Sequence, residues 1–319
     1  MDMLLYCLAR AAIAFLQALP LRLVARLGRA AGALAYTLDA RHRRAALNNL
    51  NLCFGAEMSR AEIRALAKEN FRRLGENYCC AVKTAAMSPA ELKPHVEFAG
   101  AEKILAHPTG AGPRSRIVAI GHFGNFELYA RFGQFAPVFQ CATTYRGLRQ
   151  PSLNRLMLSL RERSGCLFFE RRADAAALKA AMRDTGLLLG LLADQHAGDN
   201  GLRLPFFGHD CSTSAAPAVF ALRYNCPLHT GICYRLGQAR WQIEAGDEIP
   251  TREKGQPRSI EAIMRDVNHA FETAIRRDPA NWFWVHKRWK ADKSRAQSPE
   301  FGASTPGTGP NAIGHRTPP

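Results

Sequence analysis

The sequence lacks the patterns that mark the common metal and redox sites of proteins. Its nine cysteines include no C-x-x-C pair, and no H-E-x-x-H segment occurs, so a zinc site is not expected. The cysteines are odd in number and lie mostly within apolar runs. This usage is typical of reduced core cysteines in a protein that faces the cytosol, and not of a disulfide framework.

The chain also lacks an uninterrupted run of about 20 apolar residues, which is the length that a membrane-spanning helix needs. Its most apolar segment, residues 3–19, carries Arg10 near its centre and is a marginal span at best. A signal peptide fits poorly, because a basic leading region is missing and no clear cleavage site follows Pro20. The G-x-G of residues 107–113 is interpreted as a turn, since it lacks the spacing of a phosphate-binding fingerprint.

Acidic residues are scarce: 27 Asp and Glu stand against 43 Lys and Arg, which gives a net charge of +16. An excess of this kind favours a polyanionic partner. Nucleic acid, anionic lipid headgroups and an acidic protein all fit that description, and the charge does not choose among them. The chain of 319 residues is long enough for one large α/β domain or two small ones.

The first feature that the sequence does contain is a basic amphipathic helix. In residues 21–38, Arg22, Arg26 and Arg29 share one face while apolar residues fall on another. Together with the apolar segment before it, this helix predicts a membrane-attaching region at residues 1–45, with basic side chains among anionic headgroups. The alternative is an ordinary surface helix that packs on the domain.

From residue 116 onward, short apolar runs alternate with segments of helical periodicity. This βαβ pattern predicts an α/β fold, a mainly parallel sheet flanked by helices, in a domain at residues 46–290. Strands are expected at 116–121, 138–145, 166–170, 187–194 and 227–236, with a further candidate at 240–249, and helices at 124–133, 151–164, 173–185, 213–225 and 259–277. Residues 291–319 are rich in Pro, Gly, Ser and Thr and are predicted to be a disordered tail.

Residues 116–131 are the centre of this pattern, because they combine a buried strand with a histidine and a glutamate. Gly121 lets the chain turn at the end of the strand, where ligands of open α/β sheets bind, and His122 follows it. A neutral imidazole can take a proton from a hydroxyl, and a neighbouring carboxylate can hold its tautomer. The pattern predicts His122 as a general base with Glu127 as its partner; the alternative is a surface pair without function.

Polar residues collect where other predicted strands and helices stop, at residues 144–146, 161–163 and 194–196. Arg161 is a fixed cationic donor that suits an acyl oxyanion or a phosphate, unless it is a solvated charge at a helix end. Asp194 is expected at the edge of the sheet. There it orients Arg161 or Arg203, or caps the next turn.

Two later segments each allow two interpretations. Phe206 and Phe207 are core residues or the lip of an acyl-chain channel, and Thr213 belongs to a hydroxyl-rich helix start that binds an anion or caps the helix. In residues 281–290, aromatic side chains alternate with basic ones. That alternation suits a membrane interface, and it also suits stacking on single-stranded nucleic acid.

Five segments occur in a fixed order along the chain: GHFGNFE, TYRGLRQPSLNRLMLSLRERSG, LLADQ, LPFFGHDCSTSAAPAVFAL and NWFWVHKRWK. Together they resemble the late acyltransferases of lipid A biosynthesis, the lauroyl/myristoyl acyltransferase family, which share an H-x4-(D/E) centre with glycerolipid acyltransferases. The resemblance covers nearly the whole chain, to Lys290. It implies a membrane-attached O-acyltransferase that moves a fatty acyl chain from an acyl-carrier-protein thioester to a hydroxyl of a lipid A precursor.

By motif, the catalytic pair of the family falls on His122 and Glu127, and its supporting residues fall on Arg161 and Asp194. The candidate substrate-binding residues lie in or near the same motifs: Asn125, Tyr145, Arg146, Arg163, Arg203, Phe206, Phe207 and Thr213. Where the family often has Tyr-Arg-Pro and Asn-Trp-Glu, this chain has Tyr-Arg-Gly and Asn-Phe-Glu. These departures leave acceptor and chain-length specificity open.

The expected reaction is direct transfer: His122 removes the proton of the acceptor hydroxyl, Glu127 holds His122, and Arg161 offsets oxyanion charge. The absence of a G-x-S-x-G elbow agrees with a reaction that forms no acyl-enzyme. The implied partners are an acyl carrier protein, a phosphorylated glycolipid and anionic lipids at the cytoplasmic face of the inner membrane; no nucleic acid, metal or cofactor is implied. The alternatives are acylation of another glycolipid or aminolipid, thioester hydrolysis, and a non-enzymatic basic membrane or nucleic-acid binder.

Overall fold

The chain folds around a seven-stranded sheet flanked by helices. The structure, a computed structural model, describes residues 2–106, 115–183 and 187–290. Its α-helices are α1 (Asp2–Ala18), α2 (Leu21–Leu38), α3 (Ala40–Phe54), α4 (Arg60–Ala86), α5 (Pro89–Leu92), α6 (Ala101–Leu105), α7 (Pro151–Arg161), α8 (Ala175–Ala181), α9 (Ala216–Tyr224) and α10 (Ile260–Arg277). Its strands are β1 (Val96–Ala99), β2 (Arg116–Ile120), β3 (Gln140–Tyr145), β4 (Leu167–Glu170), β5 (Leu187–Leu192), β6 (Leu202–Phe206), β7 (His209–Thr213), β8 (Leu228–Gly237), β9 (Arg240–Ala245), β10 (Arg252–Glu253) and β11 (Gln256–Pro257). Short 3₁₀ helices span Lys93–His95, Phe126–Gln134, Glu162–Ser164 and Pro279–Asn281.

The sheet is mainly parallel, which confirms the fold class predicted from the alternating pattern. Its order is β1-β9-β8-β2-β5-β3-β4, and the strands from β8 to β4 are parallel to one another. β9 is antiparallel to β8, because residues 238–239 alone join the two strands and so short a link reverses the chain. The sequence pattern does not predict β1 or the antiparallel β6–β7 hairpin.

Strand β2 shows that the two faces of the sheet differ. Ile117 and Ala119 belong to a large core that α3, α4, α9 and α10 also supply. Val118 and Ile120 point to the opposite side, because successive side chains of a strand alternate, and they join a smaller apolar cluster with residues of α6 and of the 3₁₀ helix at Phe126–Gln134. Burial on both faces explains the unbroken apolar run of this strand.

Helix α2 packs closely against α4. Gly28 and Gly32 lie against the backbone of α4, so that a Cβ on Gly32 would lie 2.1 Å from the carbonyl oxygen of Phe71. On the same side, the guanidinium of Arg29 reaches the buried carboxylate of Glu76 at 3.4 Å. For this face of α2, the interpretation as a helix that packs on the domain is therefore confirmed.

The outer faces of α1 and α2 expose large apolar side chains. More than half of the surface of Leu4, Leu8 and Phe15 in α1, and of Leu34 and Leu38 in α2, is exposed. Within the described residues, no helix combines the length and the apolar character that crossing a bilayer requires. Attachment of this N-terminal region to a membrane stays a prediction.

The aromatic segment at residues 281–290 lies in the core. Trp282 and Trp284 are almost wholly buried. The amide of Asn49 in α3 donates to the carbonyl oxygen of Trp284 at 2.7 Å, and the amide of Asn70 in α4 donates to that of Trp282 at 2.6 Å. The prediction that these tryptophans lie at a membrane interface or stack on nucleic acid is wrong, because α3 and α4 enclose the segment.

Two predicted segments fall outside the described residues. They are the G-x-G turn at 107–113 and the disordered tail at 291–319. The predicted domain boundaries at residues 45 and 290 stay predictions as well.

The close contact between α2 and α4 leads to a stability prediction. We expect Gly32→Ala to lower the free energy of unfolding by about 1–3 kcal/mol, because the added methyl group meets a helix backbone that cannot move aside as a side chain can. Thermal unfolding of the purified protein in detergent measures the effect. Gly237→Ala is the matched control, since a Cβ there meets nothing within 4 Å. Equal melting temperatures for the two variants would contradict the prediction.

Candidate active site

His122 lies just beyond the carboxyl end of β2, where the chain passes close to the loop after β5. Gly121 makes this approach feasible, because a Cβ at that position would lie 3.2 Å from the Cβ of Asp194. The imidazole packs between two aromatic rings, with ring centroids 4.9 Å from Phe126 and 5.7 Å from Phe283. Only 16% of the histidine side chain is exposed, so the orientation of the ring is closely fixed.

Asp194 is the residue that orients His122. Its Oδ1 lies 2.8 Å from Nδ1 of the imidazole, and its Oδ2 accepts hydrogen bonds at 2.8 Å from the backbone N–H of His122 and from the indole N–H of Trp282. The prediction that Glu127 holds His122 is therefore wrong. So are the predictions that Asp194 orients a neighbouring arginine or caps a turn.

Strand register explains this pairing. Ile120 of β2 lies opposite Leu192 of β5 in the parallel ladder. Two positions further along each strand, His122 and Asp194 therefore emerge side by side at the same edge of the sheet. Glu127 instead lies in the first turn of the 3₁₀ helix that follows, which carries its carboxylate to a different neighbour.

The environment of Asp194 fixes its charge. Burial by itself raises the pKa of this carboxyl, but attraction to His122 and the hydrogen bonds from His122 and Trp282 outweigh burial and hold the pKa below its usual range. The carboxylate stays ionised at neutral pH and keeps the imidazole proton on Nδ1. Its contribution to stability is present above the ordinary carboxyl pKa and is lost as the pH falls through the lowered value. Nε2 of His122 is left with a free lone pair, as a general base requires.

Glu127 forms a bidentate ion pair with Arg161. Nε and Nη2 of the guanidinium lie 3.0 and 2.5 Å from the two carboxylate oxygens. The guanidinium also lies over the ring of Phe168, 5.1 Å from its centroid. Such a two-point contact fixes both side chains and balances their charges. The pair forms a rigid polar part of the cavity wall beside His122.

A cavity of about 910 Å³ opens next to His122 and follows the sheet. It lies between the sheet and the 3₁₀ helix at Phe126–Gln134, and its lining is mainly apolar: Val118, Ile120, Leu188, Gly190, Leu192 and Gly231 from the sheet, with Tyr129, Ala130 and Phe132 from the helix. Gly190 adds no side chain to the floor, where a Cβ would lie 3.2 Å from Cδ1 of Ile120. The volume is within the range of small-molecule sites, about 300–1,000 Å³.

The strand-end polar clusters meet at this cavity, as predicted. Residues 144–146 at the end of β3 and 195–196 after β5 line it, together with Arg161, Ser214 and His286. They come together because the carboxyl ends of parallel strands lie at one edge of the sheet. Two predicted substrate-binding residues, at positions 145 and 146, are thus at the cavity, although their roles stay predictions.

A smaller cavity of about 250 Å³ adjoins the first at His122, between α4 and α7. Asn125, a predicted substrate-binding residue, borders this second cavity and is almost fully buried. Its amide nitrogen donates to Oγ1 of Thr84 at 3.5 Å, while its Oδ1 has no partner among the described residues. Glu127 and Arg161 line both cavities, so their ion pair stands between them.

Five predicted substrate-binding residues line neither cavity: Arg163, Arg203, Phe206, Phe207 and Thr213. Phe206 and Phe207 pack in the core on the opposite face of the sheet, so their role as the lip of a channel is wrong. Thr213 is buried and accepts a hydrogen bond from the guanidinium of Arg288 at 2.8 Å, in place of an anion. The physical reason is the β6–β7 hairpin, which turns this segment away from the cavity.

The two arginines among these five have surface positions. Arg163 donates to the carbonyl oxygen of Ala86 at 3.1 Å and joins the 3₁₀ helix after α7 to the end of α4. Arg203 is exposed on β6. Neither is placed to contact a ligand in the cavity.

The sequence pattern did not indicate three residues that support the site, all in the aromatic segment at residues 281–290, the C-terminal segment of the described chain. Trp282 holds Asp194, His286 lines the large cavity, and Arg288 is fully buried behind it. The one signal in the sequence that could have indicated them is that this segment is the last of the five ordered motifs. Its alternating aromatic and basic composition instead suggested a surface, because composition does not report burial.

The described residues contain no group of three or more His, Cys, Asp and Glu side chains that could hold a metal ion. Two free cysteines, Cys141 and Cys166, border the large cavity. Burial raises the pKa of Cys141 to about 11 and that of Cys166 further, so both remain thiols at neutral pH. The arrangement therefore supplies a base, His122, for proton abstraction, beside an apolar cavity.

Comparison with known proteins relates this chain to a protein family and to a curated protein. Residues 1–291 match the family described as bacterial lipid A biosynthesis acyltransferase. A curated relative, the phosphatidylinositol mannoside acyltransferase of Mycolicibacterium smegmatis (strain ATCC 700084 / mc(2)155), is 24% identical over 198 residues. That alignment covers 59% of this chain and 61% of the relative, so the chain spans about three fifths of the relative's length.

The pairing of His122 leads to a prediction that separates the two carboxylates. We expect Asp194→Asn to lower kcat by roughly 10³- to 10⁴-fold, because the amide removes the charge that fixes the imidazole tautomer. Glu127→Gln should cost clearly less, since it acts through Arg161. Turnover of the purified variants, with thermal unfolding as a check on folding, measures both. A larger loss for Glu127→Gln than for Asp194→Asn would contradict the assignment.

Proposed function

Since the chain belongs to the bacterial lipid A biosynthesis acyltransferase family, we propose that it transfers a fatty acyl chain from an acyl-carrier-protein thioester to a hydroxyl of a lipid A precursor. The observation that carries the proposal is the Asp194–His122 pair at the opening of a mainly apolar cavity. A base beside an apolar cavity suits a reaction between a hydroxyl and the end of a hydrocarbon chain.

The proposed mechanism is direct transfer. The acceptor hydroxyl lies at Nε2 of His122, which takes its proton while the oxygen attacks the thioester carbonyl carbon. Asp194 stabilises the imidazolium that forms. The C–S bond then breaks, and His122 returns the proton to the departing thiolate. No residue of the protein is acylated, in agreement with the raised pKa of both cysteines at the cavity.

The ion pair of Glu127 and Arg161 has a different role from the one that the sequence pattern indicates. The guanidinium supplies positive charge near the reacting carbonyl group. This charge helps to stabilise the negative charge that develops on the carbonyl oxygen. The carboxylate of Glu127 holds that guanidinium in a fixed position through two hydrogen bonds. A fixed donor needs no reorganisation when charge develops, so the pair acts as a unit.

The large cavity is proposed to hold the acyl chain of the donor. Its lining comes mainly from aliphatic and aromatic side chains of the sheet and of the 3₁₀ helix, which favours a hydrocarbon over a polar ligand. The glycine at position 190 keeps the floor free of a side chain. The length of chain that fits depends on how far the cavity follows the sheet.

Two arginines that line the large cavity, Arg146 and Arg171, support anionic substrates, together with Arg149, three residues after Arg146 in the chain. Arg146 and Arg149 follow β3, and Arg171 follows β4, so all three lie at the carboxyl edge of adjacent strands. All are exposed, and within the described part of the chain no carboxylate forms an ion pair with them. An acidic carrier protein and a phosphorylated acceptor are the partners that such a surface favours.

Attachment to the cytoplasmic face of the inner membrane is part of the proposal. The exposed apolar side chains of α1 and α2 suit insertion into one leaflet, with Arg22 and Arg26 exposed beside them for contact with anionic headgroups. A lipid acceptor would then reach the cavity without leaving the membrane.

A second acceptor class has support of its own. The curated relative is named for acylation of a phosphatidylinositol mannoside, and both proposed acceptors are phosphorylated glycolipids. Transfer to another glycolipid or to an aminolipid is therefore the main alternative. Hydrolysis of the thioester by the same His122 base is the second alternative, with water in place of the acceptor hydroxyl.

The proposed reaction leads to a prediction about activity. The purified protein in detergent, given an acyl-carrier thioester, should acylate a lipid A precursor, and mass spectrometry identifies the product. His122→Ala should lower the rate by about 10²- to 10⁴-fold, because the general base is lost. His269→Ala, an exposed histidine of α10, is the matched control and should keep the wild-type rate. Product on a phosphatidylinositol mannoside alone would favour the second acceptor class, and free fatty acid as the sole product would refute acyl transfer.

The second prediction concerns the donor. Combined Arg146→Glu and Arg171→Glu should raise the KM for the acyl-carrier thioester roughly tenfold or more and weaken its salt dependence, because opposite charges at the opening of the cavity attract the acidic carrier. Arg223→Glu is the control, since this exposed arginine lies in the last turn of α9, at the amino edge of the sheet. The control reverses one charge and the test variant reverses two, so an effect of Arg223→Glu about half as large on the logarithm of KM would mean that net charge alone attracts the carrier.

A further inference from the structure

We propose that His286 donates a hydrogen bond from Nδ1 to the carbonyl oxygen of the acyl thioester, an inference that rests on the proposed acyl transfer. His286 lines the large cavity that begins at His122, and it comes from the C-terminal segment, outside the strand-end motifs. Its role would be to stabilise the negative charge that develops on that oxygen.

The first step of the argument is the tautomer of the ring. Nε2 of His286 accepts a hydrogen bond at 3.0 Å from the backbone N–H of His196. A backbone N–H can only donate, so Nε2 must be unprotonated, and a neutral ring then carries its proton on Nδ1. No described residue accepts a hydrogen bond from this Nδ1, which is also absent from the buried polar atoms that lack a partner. The N–H is therefore available to a ligand in the cavity.

The second step is the rigidity of the support on both sides of the ring. The amide of Asn49 in α3 donates to the carbonyl oxygen of His286 at 2.7 Å. On the other side, the fully buried guanidinium of Arg288 donates to Oγ1 of Thr213 at 2.8 Å and to the carbonyl oxygen of Gln195, next to His196. Buried hydrogen bonds thus hold both His286 and the neighbourhood of the His196 N–H that donates to its ring. A preorganised donor requires such fixed surroundings.

The third step is the charge of the ring. Burial lowers the pKa of His286 to about 4, the carboxylate of Asp194 opposes this shift, and electrostatic interactions with His122, Arg288 and His196 add to it. At neutral pH the ring is an uncharged donor. The ring does not compete with His122 for the acceptor's proton, because Nε2, its unprotonated nitrogen, already accepts the hydrogen bond from His196.

The chemistry needs such a donor. As the acceptor oxygen bonds to the carbonyl carbon and its proton passes to His122, the carbonyl π electrons move to the carbonyl oxygen. When the double bond forms again, the C–S bond breaks and the thiolate takes the proton from His122. Two of the donor groups of Arg161 are held by Glu127, and that carboxylate offsets its charge. A donor in addition to Arg161 would therefore share the stabilisation of the oxyanion.

Two substitutions separate a donor from a structural residue. His286→Asn keeps an amide N–H near the position of Nδ1, whereas His286→Gln places its amide near Nε2 and can still accept from His196. We expect His286→Gln to lower kcat by about 100-fold with little change in KM, and His286→Asn to retain clearly more activity. Thermal unfolding shows whether each variant folds. Full kcat in His286→Gln, or a greater loss in His286→Asn, would overturn the inference and leave the proposed function intact.

A second measurement is independent of activity. In ¹⁵N-histidine-labelled protein, the ring signals that disappear in His286→Gln should show a protonated Nδ1 and an unprotonated Nε2 at neutral pH. A proton on Nε2 would overturn the inference whatever the kinetics. If the wild-type protein transfers no acyl chain to any acceptor, the proposed function and the inference both fail, and the tautomer shows whether the geometry of the ring was nevertheless correct.

Discussion

The buried carboxylate of Asp194 accepts hydrogen bonds from groups that lie far apart in the sequence. The backbone and the ring of His122 donate to it from the end of β2, and the indole of Trp282 donates to it from the C-terminal segment. A buried charge is costly unless hydrogen bonds satisfy it, so these contacts hold the three segments together. The same contacts fix the position and the tautomer of the proposed base.

The parallel sheet makes this arrangement feasible. Its carboxyl edge brings together the ends of β2, β3 and β5. Its two faces differ in what lies against them. One face carries the main core with α9 and α10, while the other leaves a long apolar cavity under the 3₁₀ helix at Phe126–Gln134. A hydrocarbon chain can lie along that face while its reactive end remains at the edge, where the polar groups are.

The C-terminal segment supports the site from behind. Its tryptophans fill the core, and Asn49 and Asn70 satisfy its backbone carbonyl groups from α3 and α4. Arg288, fully buried, joins it to the loop after β5. The N-terminal half of the chain therefore supports the site, because α3 and α4 hold the segment that in turn holds Asp194.

The sequence by itself determined the fold class, the order of the helices and of the large-sheet strands from residue 116, and the position of His122 at a strand end, because apolar periodicity and turn residues are local signals. It also brought Arg161, Asp194 and the residues at 144–146 to one edge, because parallel strands share their carboxyl ends. Only the tertiary structure decided which carboxylate holds His122, since that depends on β5 lying beside β2, which no local pattern reports. Tertiary structure likewise decided that the β6–β7 hairpin places Phe206 in the core. It also decided that Trp282 and Trp284 are buried supporting residues, although their sequence pattern suggested a membrane interface.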